Sequence, residues 1–141
     1  MAMKKTIELI RISLGIIFLW YGILKFFPQL SPAEVLATKT IDILFFGMIN
    51  ETLSMKLLAI WEVCIGLGFI LGIYTRFVVV IFLTHMTFTF TPLFILPELS
   101  FTHAPYAFTL VGQYIVKNVV FILAGILIYQ NIEKKPKEAL I

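Results

Sequence analysis

Three ionisable residues from three long apolar stretches of this sequence fall at similar depths: Lys25, Glu62 and Lys117. A charge left unpaired at the middle of a membrane costs roughly 3 kcal/mol on insertion scales. A lysine can extend its ammonium towards water, but the side chain of a glutamate is too short to do so easily. We therefore predict that Glu62 contacts Lys25, Lys117 or both inside a bundle of helices.

Two interpretations of these charges are open. A net-positive polar pocket walled with aromatic residues could bind a quinone head group or a small anion, with Glu62 as a proton relay, because ionisable residues inside membranes commonly mark functional sites. His85, Trp61 and Tyr21 are further candidate ligand-binding residues. Alternatively, the Glu–Lys pair only fixes the order of the helices. No catalytic residue is assigned from the sequence.

Other chemistries find little support. Cys64 is the only cysteine, which excludes an intrachain disulfide and a C-x-x-C redox centre. A two-histidine haem site would need a partner for His85, and the other histidine, His103, falls in a loop. No residues have metal-ligand spacing. We expect His85 to be a packing residue bonded to Thr84 or Thr89, and Cys64 to be a small packing residue.

The composition requires a lipid environment. Of 141 residues, enough for one domain, 60% are hydrophobic and 13% are charged, and the mean hydropathy is +1.01. A soluble domain usually has about a quarter charged residues. The net charge of +3 comes largely from the two ends, so no basic surface for nucleic acid is indicated.

Four apolar segments are long enough to cross about 30 Å of hydrocarbon as helices. They cover residues 7–27, 55–74, 77–96 and 110–129. The chain is predicted to be an all-α membrane protein, a four-transmembrane-helix bundle. At 1.5 Å per residue, Lys25 should lie about 5 Å, and Glu62 and Lys117 about 10 Å, inside the outer boundary. His85 should lie about a turn and a half deeper than Glu62.

A short amphipathic helix is predicted over residues 32–49, in the first extracytoplasmic loop. Ser31 would be its N-cap, Pro32 its first residue and Glu34 the acidic partner of a capping box. Its apolar face would lie against the bundle at the membrane interface. That face contains Ala37, Ile41, Leu44, Phe45 and Met48.

The positive-inside rule predicts that both termini are cytoplasmic. The basic residues of the termini and of the turn between the second and third spans would share that side: Lys4, Lys5, Arg11, Arg76, Lys134, Lys135 and Lys137. The start resembles a signal sequence but lacks a small-x-small cleavage pattern, so we expect an uncleaved anchor in a bacterial inner membrane. The last residues, KKPKEALI, are expected to form a frayed tail.

Several stretches resemble the DoxX-like family of small membrane proteins. They are RISLGIIFLWYGILKFFP (11–28), WEVCIGLGFILG (61–72), Thr91-Pro92 and GQYIVKNVVFILAG (112–125). The branch that is most similar contains membrane proteins of reactive-chlorine resistance. The resemblance implies a four-helix bundle, and several members are associated with redox or oxidative-stress systems. The family's recurring polar residues fall on Lys25, Glu62 and Lys117.

The resemblance implies at most a membrane subunit of a quinone-linked oxidoreductase, working with a soluble or membrane redox protein. A second hypothesis is a non-catalytic scaffold that docks partners through residues 31–49 or 97–113. A third is a small transporter, for which we would expect a discontinuous helix or a repeated half. Neither is visible in the sequence, although a homo-oligomer could supply a path.

Overall fold

The computed structural model describes residues 2–133, so the tail that carries Lys134, Lys135 and Lys137 lies outside the described residues. The elements in chain order are α1 (Ala2–Leu24), α2 (Glu34–Leu44), α3 (Glu51–Leu71), α4 (Thr75–Phe88), α5 (Pro92–Ile95), α6 (Pro97–Ser100), β1 (Phe101–His103), β2 (Ala107–Phe108) and α7 (Leu110–Glu133).

Four helical segments are long and apolar enough to cross a membrane: Met3–Leu24, Glu51–Leu71, Thr75–Ile95 and Leu110–Ile132. The predicted all-α membrane protein with four spans is confirmed. The two long connections, residues 25–50 and 96–109, lie at one end of the bundle, which we call the loop end. The N-terminus and the tight turn between α3 and α4 lie at the other end, which we call the hairpin end.

The helix bounds differ from the predicted ones where local hydrogen bonds decide them. Asn50 caps α3, because its side chain accepts a 2.8 Å bond from the backbone N–H of Leu53. The helix therefore starts at Glu51 rather than at residue 55. At its other end Gly72 is left-handed (φ 69°), a conformation that suits glycine and ends helices.

The third span is interrupted, although a continuous helix was expected. Pro92 has no backbone N–H to donate to Phe88. Instead, the backbone N–H and the hydroxyl of Thr91 donate to the Phe88 carbonyl at 3.1 and 2.7 Å. The backbone N–H of Phe94 donates to the carbonyl of Thr91, three residues earlier, and this hydrogen bond leads into α5. The break is therefore a turn that is tighter than an α-helical turn. The carbonyls of Phe88 and Thr91 still accept hydrogen bonds in it.

The helix in the first long connection exists, but its predicted cap is wrong. Ala33 occupies the N-cap position and makes no side-chain cap bond. The Glu34 carboxylate accepts a 2.6 Å bond from the N–H of Gln29, not from that of Ser31. The helix ends at Leu44, five residues short of the predicted residue 49.

The predicted apolar face of α2 is also wrong in part. The buried side chains are Thr38 and Thr40, whose hydroxyls donate to backbone carbonyls one turn earlier. Phe45 is 50% exposed and Met48 is 84% exposed. Because the chain becomes left-handed at Phe46 (φ 54°), the residues after α2 no longer continue its face.

A small hairpin in the second long connection was not predicted. Strands β1 and β2 pair antiparallel, and the Phe101 and Phe108 ring centroids lie 4.8 Å apart. The strands are too short to show a sequence period. The hydroxyl of Ser100, which is fully buried, donates to the carbonyls of Pro92 and Leu96 at 3.1 Å. These bonds attach the second connection to the end of the third span.

Helices α1 and α3 form the closest seam of the bundle. A Cβ added at Gly66 would lie 2.5 Å from the backbone nitrogen of Leu19, and one added at Gly15 would lie 3.0 Å from the carbonyl oxygen of Gly66. Glycine is needed at such contacts because the two backbones touch. The same seam continues to Gly22, where the functional site begins.

Candidate functional site

Glu62 is the centre of a buried group of three ionisable side chains. Lys25 Nζ donates a 2.6 Å hydrogen bond to Glu62 Oε2, and His85 Nε2 lies 3.3 Å from Glu62 Oε1. The side chains are between 7 and 10% exposed. We call Lys25, Glu62 and His85 the triad. The predicted contact between Glu62 and Lys25 is present.

Lys25 reaches Glu62 because α1 ends beside it. Lys25 follows the last residue of α1, and its ammonium also lies 3.4 Å from the carbonyl oxygen of Tyr21. A cation at a helix C-terminus is stabilised by the carbonyls that the helix leaves exposed. Gly22 brings the two helices together at this level, since a Cβ there would be 3.0 Å from the Glu62 Cβ.

His85 and Glu62 lie at the same level, so the predicted difference in depth is wrong. Glu62 is the twelfth residue of the 21-residue α3. His85 is the eleventh residue of the 21-residue span Thr75–Ile95. The depth of Glu62 was underestimated because α3 begins at Glu51 instead of residue 55. Glu62 and His85 therefore lie midway along α3 and the third span, and Lys25 reaches them from the loop-end terminus of α1.

The predicted partners of His85 are wrong as well. The Thr84 hydroxyl donates to the Val80 carbonyl at 2.9 Å. The Thr89 hydroxyl donates to the Met86 carbonyl at 2.7 Å and accepts a 3.1 Å bond from Asn118 Nδ2. Threonine hydroxyls in helices commonly satisfy themselves this way. His85 contacts Glu62 instead of either threonine.

Lys117 is not part of the site. Its side chain is exposed, and its ammonium lies 5.4 Å from the centre of the Tyr114 ring. The side of α7 that faces the bundle carries Ile115 and Asn118, and Lys117 points away from it. The predicted contact of Lys117 with Glu62 was based on depth along the helix. Depth does not determine which side of the helix a residue occupies, so this contact was predicted wrongly.

Two further predicted ligand residues also face outwards. Tyr21 is 51% exposed and Trp61 is 45% exposed. Trp61 precedes Glu62 in α3, and adjacent residues of a helix point about 100° apart. Tyr21 touches the site through its carbonyl oxygen, not its ring. Cys64, expected to pack, is exposed.

A layer of aromatic rings separates the triad from the hairpin end. Phe18 lies edge-on to Phe82 with ring centroids 5.1 Å apart, and Phe69 lies edge-on to Phe82 at 5.3 Å. Phe69 and Phe82 are 0% exposed. Phe18 also packs edge-on to His85 at 5.6 Å. These rings pack on the hairpin side of the triad.

A second charged group lies beyond this layer and has a structural role. The Arg11 guanidinium pairs with the Glu8 carboxylate at 2.6 Å. It also donates to the carbonyls of Phe69 and Ile70, near the C-terminus of α3. These carbonyls lie in the last turn of the helix, where a cation is favourable. Arg11 thus caps the C-terminus of α3 at the hairpin end.

The triad combines one carboxylate with two basic side chains inside the bundle. Within residues 2–133 no group of three His, Cys, Asp or Glu side chains is close enough to hold a metal ion. The Glu62 carboxylate and the Lys25 ammonium compensate each other's charge. In a water-poor environment such contacts are stronger than at a surface.

The sequence matches the DoxX family model over residues 6–96. The chain belongs to the DoxX family. The matched part of this DoxX protein contains Lys25, Glu62 and His85, and it ends before Lys117. No curated protein and no solved structure matches the chain. The assignment to the branch of reactive-chlorine resistance stays a prediction.

Proposed function

We propose that this DoxX protein is a membrane component of a redox or oxidative-stress system, and that the triad binds the head group of a quinone. The observation that carries the proposal is the position of Glu62, which lies halfway along α3 and bridges Lys25 at 2.6 Å and His85 at 3.3 Å. Ionisable residues are costly there, and their presence favours a role beyond packing.

A quinone fits the triad better than a small anion does. The anion hypothesis depended on two lysines around one carboxylate, and Lys117 lies outside the site. Lys25 and Glu62 compensate each other's charge, so the triad lacks the second lysine that the anion hypothesis required. A neutral head group with carbonyl oxygens needs hydrogen-bond donors instead. Quinones also dissolve in the bilayer, so they can reach a site between membrane-spanning helices.

The triad offers the groups that such a head group needs. A quinone, when bound, supplies two-electron chemistry coupled to the uptake of two protons. The Lys25 ammonium has three N–H donors and uses two of them in contacts with Glu62 and Tyr21. Glu62 can hold a proton and pass it on. His85 has a second ring nitrogen, Nδ1, besides the Nε2 that faces Glu62.

The electrons would come from a partner, since none of the triad residues is redox-active. We infer a soluble or membrane redox protein as that partner. We further propose that the protein lies in a bacterial inner membrane with both termini cytoplasmic. The loop end would then face outwards. The basic residues Lys4, Lys5, Arg11 and Arg76, which lie at the hairpin end, support this orientation.

The proposal predicts that substitution of Glu62 removes bound quinone. Glu62→Gln keeps the shape of the side chain but cannot pair with Lys25 as an anion. The protein would be extracted with its lipids into nanodiscs, and the quinone content per protein would be measured by mass spectrometry. We expect a loss of at least about ten-fold, which corresponds to about 1.4 kcal/mol of binding free energy.

Glu51→Gln is the matched control, because Glu51 is exposed in the first turn of the same helix. It should retain the wild-type quinone content. Wild-type protein with no more quinone than protein-free nanodiscs would overturn the proposal. Equal quinone in the wild type and the Glu62→Gln variant would overturn it as well.

One observation favours the scaffold hypothesis as a second candidate. Phe46 is 90% exposed and Met48 is 84% exposed in the segment after α2, at the loop end where a partner could dock. Survival under oxidative stress distinguishes the two functions. A scaffold would lose function with Phe46→Asp and tolerate Glu62→Gln, whereas the quinone site predicts the reverse.

A further inference from the structure

Lys117 is a cation on the outer side of a membrane-spanning helix. It is the eighth of the 24 residues of α7, so it lies about 10 Å along the helix from the first residue. Its side chain is exposed. A stretched lysine can raise its ammonium by several ångströms towards the interface, which leaves the charge just below the loop end.

Within residues 2–133, no carboxylate pairs with Lys117, and the contact that the structure gives its ammonium is the Tyr114 ring at 5.4 Å. Such a cation–π contact offsets part of the desolvation cost of the charge. Tyr114 lies one turn nearer the loop end and draws the ammonium in that direction. The positive charge of the Lys117 ammonium is therefore left to be neutralised by an anion from outside the chain.

The residues around Lys117 indicate the chemistry of that anion. Gln113, Tyr114 and Lys117 occupy neighbouring positions on one side of α7, because residues three and four apart share a helix face. Further from the loop end the same helix exposes apolar side chains that can lie along acyl chains. These are Val120, Leu123 and Leu127, which are 67, 60 and 40% exposed.

We propose that Gln113, Tyr114 and Lys117 bind the phosphate of an anionic phospholipid whose acyl chains lie along the apolar side of α7. The ammonium supplies the charge, while the Tyr114 hydroxyl and the Gln113 amide supply hydrogen-bond donors. Anionic headgroups attract basic residues at the membrane surface. The inference does not depend on the quinone site, which lies on other helices.

A second copy of the chain fits this face less well. A two-fold axis along the membrane normal would place the same patch of both copies together. Lys117 would then face Lys117 of the partner copy in a poorly screened environment. Like charges at such a contact are unfavourable, whereas a lipid phosphate has the complementary charge.

Lipid retention tests the site. The full chain would be placed in nanodiscs of equal parts phosphatidylglycerol and phosphatidylcholine, released into mild detergent, and analysed for retained lipids by native mass spectrometry. We expect wild-type protein to retain phosphatidylglycerol in preference. Lys117→Gln should lower this preference about five-fold, the effect of one basic residue at a surface, and Lys117→Arg should keep it.

Lys39→Gln is the control, because Lys39 is an exposed lysine of α2, outside the spans, and its loss changes the net charge equally. It should leave the preference unchanged. An unchanged preference in Lys117→Gln, or an equal loss in Lys39→Gln, would overturn the site. Release of the retained lipid by millimolar inorganic phosphate would overturn its assignment to a lipid and indicate a free-phosphate site.

Discussion

Each carboxylate oxygen of Glu62 lies next to a basic group, Lys25 just after α1 and His85 in α4. A buried ion pair gains little over apolar residues of the same size, because both charges lose their hydration. Removing one partner is much more costly, since the other charge is then buried without compensation. The 2.6 Å contact between Lys25 and Glu62 should therefore show strong coupling between the two substitutions.

A double-mutant cycle measures this coupling. Lys25→Met alone and Glu62→Met alone should each destabilise the protein by about 3 kcal/mol. The double variant should lose clearly less than the sum, because no unpaired charge remains. Unfolding by increasing fractions of a denaturing detergent, monitored by circular dichroism, gives the free energies. Additive losses would mean that the two side chains do not interact.

The sequence correctly predicted that Glu62 contacts a lysine, and it wrongly placed Lys117 in the site. The cost of a carboxylate in lipid predicted a contact of Glu62 with Lys25, Lys117 or both, and the structure shows the contact with Lys25. His85 could have been placed by counting, because Glu62 precedes Gly72 by ten residues and His85 follows Thr75 by ten. Residues equally far from a tight turn meet in an antiparallel pair of helices. Lys117 was misplaced because its direction depends on how α7 is rotated.

At the scale of the elements, the seam between α1 and α3 positions the triad. Gly15, Gly22 and Gly66 let the two backbones touch, and this contact carries Lys25 to the level of Glu62. Without it the two charges would lie in separate environments. Packing in membranes relies on such small residues, since lipid provides no hydrophobic force between helices.

Gly66→Ala should destabilise the protein and disturb the triad. The added Cβ would lie 2.5 Å from the backbone nitrogen of Leu19, so the helices must separate, at a cost of about 1–3 kcal/mol. The same unfolding measurement checks the loss. Cys64→Val, which adds bulk at an exposed position of the same helix, should change stability little. An unaffected Gly66→Ala variant would mean that the seam is looser than described.

The elements themselves were predictable to different degrees. Hydropathy was sufficient for the four spans, because lipid imposes their length and apolar character. The start of α3 depended on the side-chain cap by Asn50, and the break in the third span depended on how Thr91 replaces the bond lost at Pro92. The hairpin β1–β2 is held by contacts with the spans, which a short sequence window does not contain.

The whole molecule places a polar centre in a bundle that is closed on one side. The rings of Phe18, Phe69 and Phe82 separate the triad from the Arg11–Glu8 pair at the hairpin end. Buried charges can fix the order of the helices, and in the proposed function they also bind the quinone. A site that exchanges protons with a lipid-soluble molecule needs such charges and benefits from a barrier against leakage to the other side.

Proton uptake by Glu62 on quinone reduction is the most direct test of the account. Electrochemically triggered infrared difference spectra of protein in quinone-loaded nanodiscs would be compared between the wild type and Glu62→Gln. We predict a carboxyl band that appears on reduction, shifts in heavy water and is missing in the variant. Identical spectra from the two proteins would contradict a role for Glu62 in quinone chemistry.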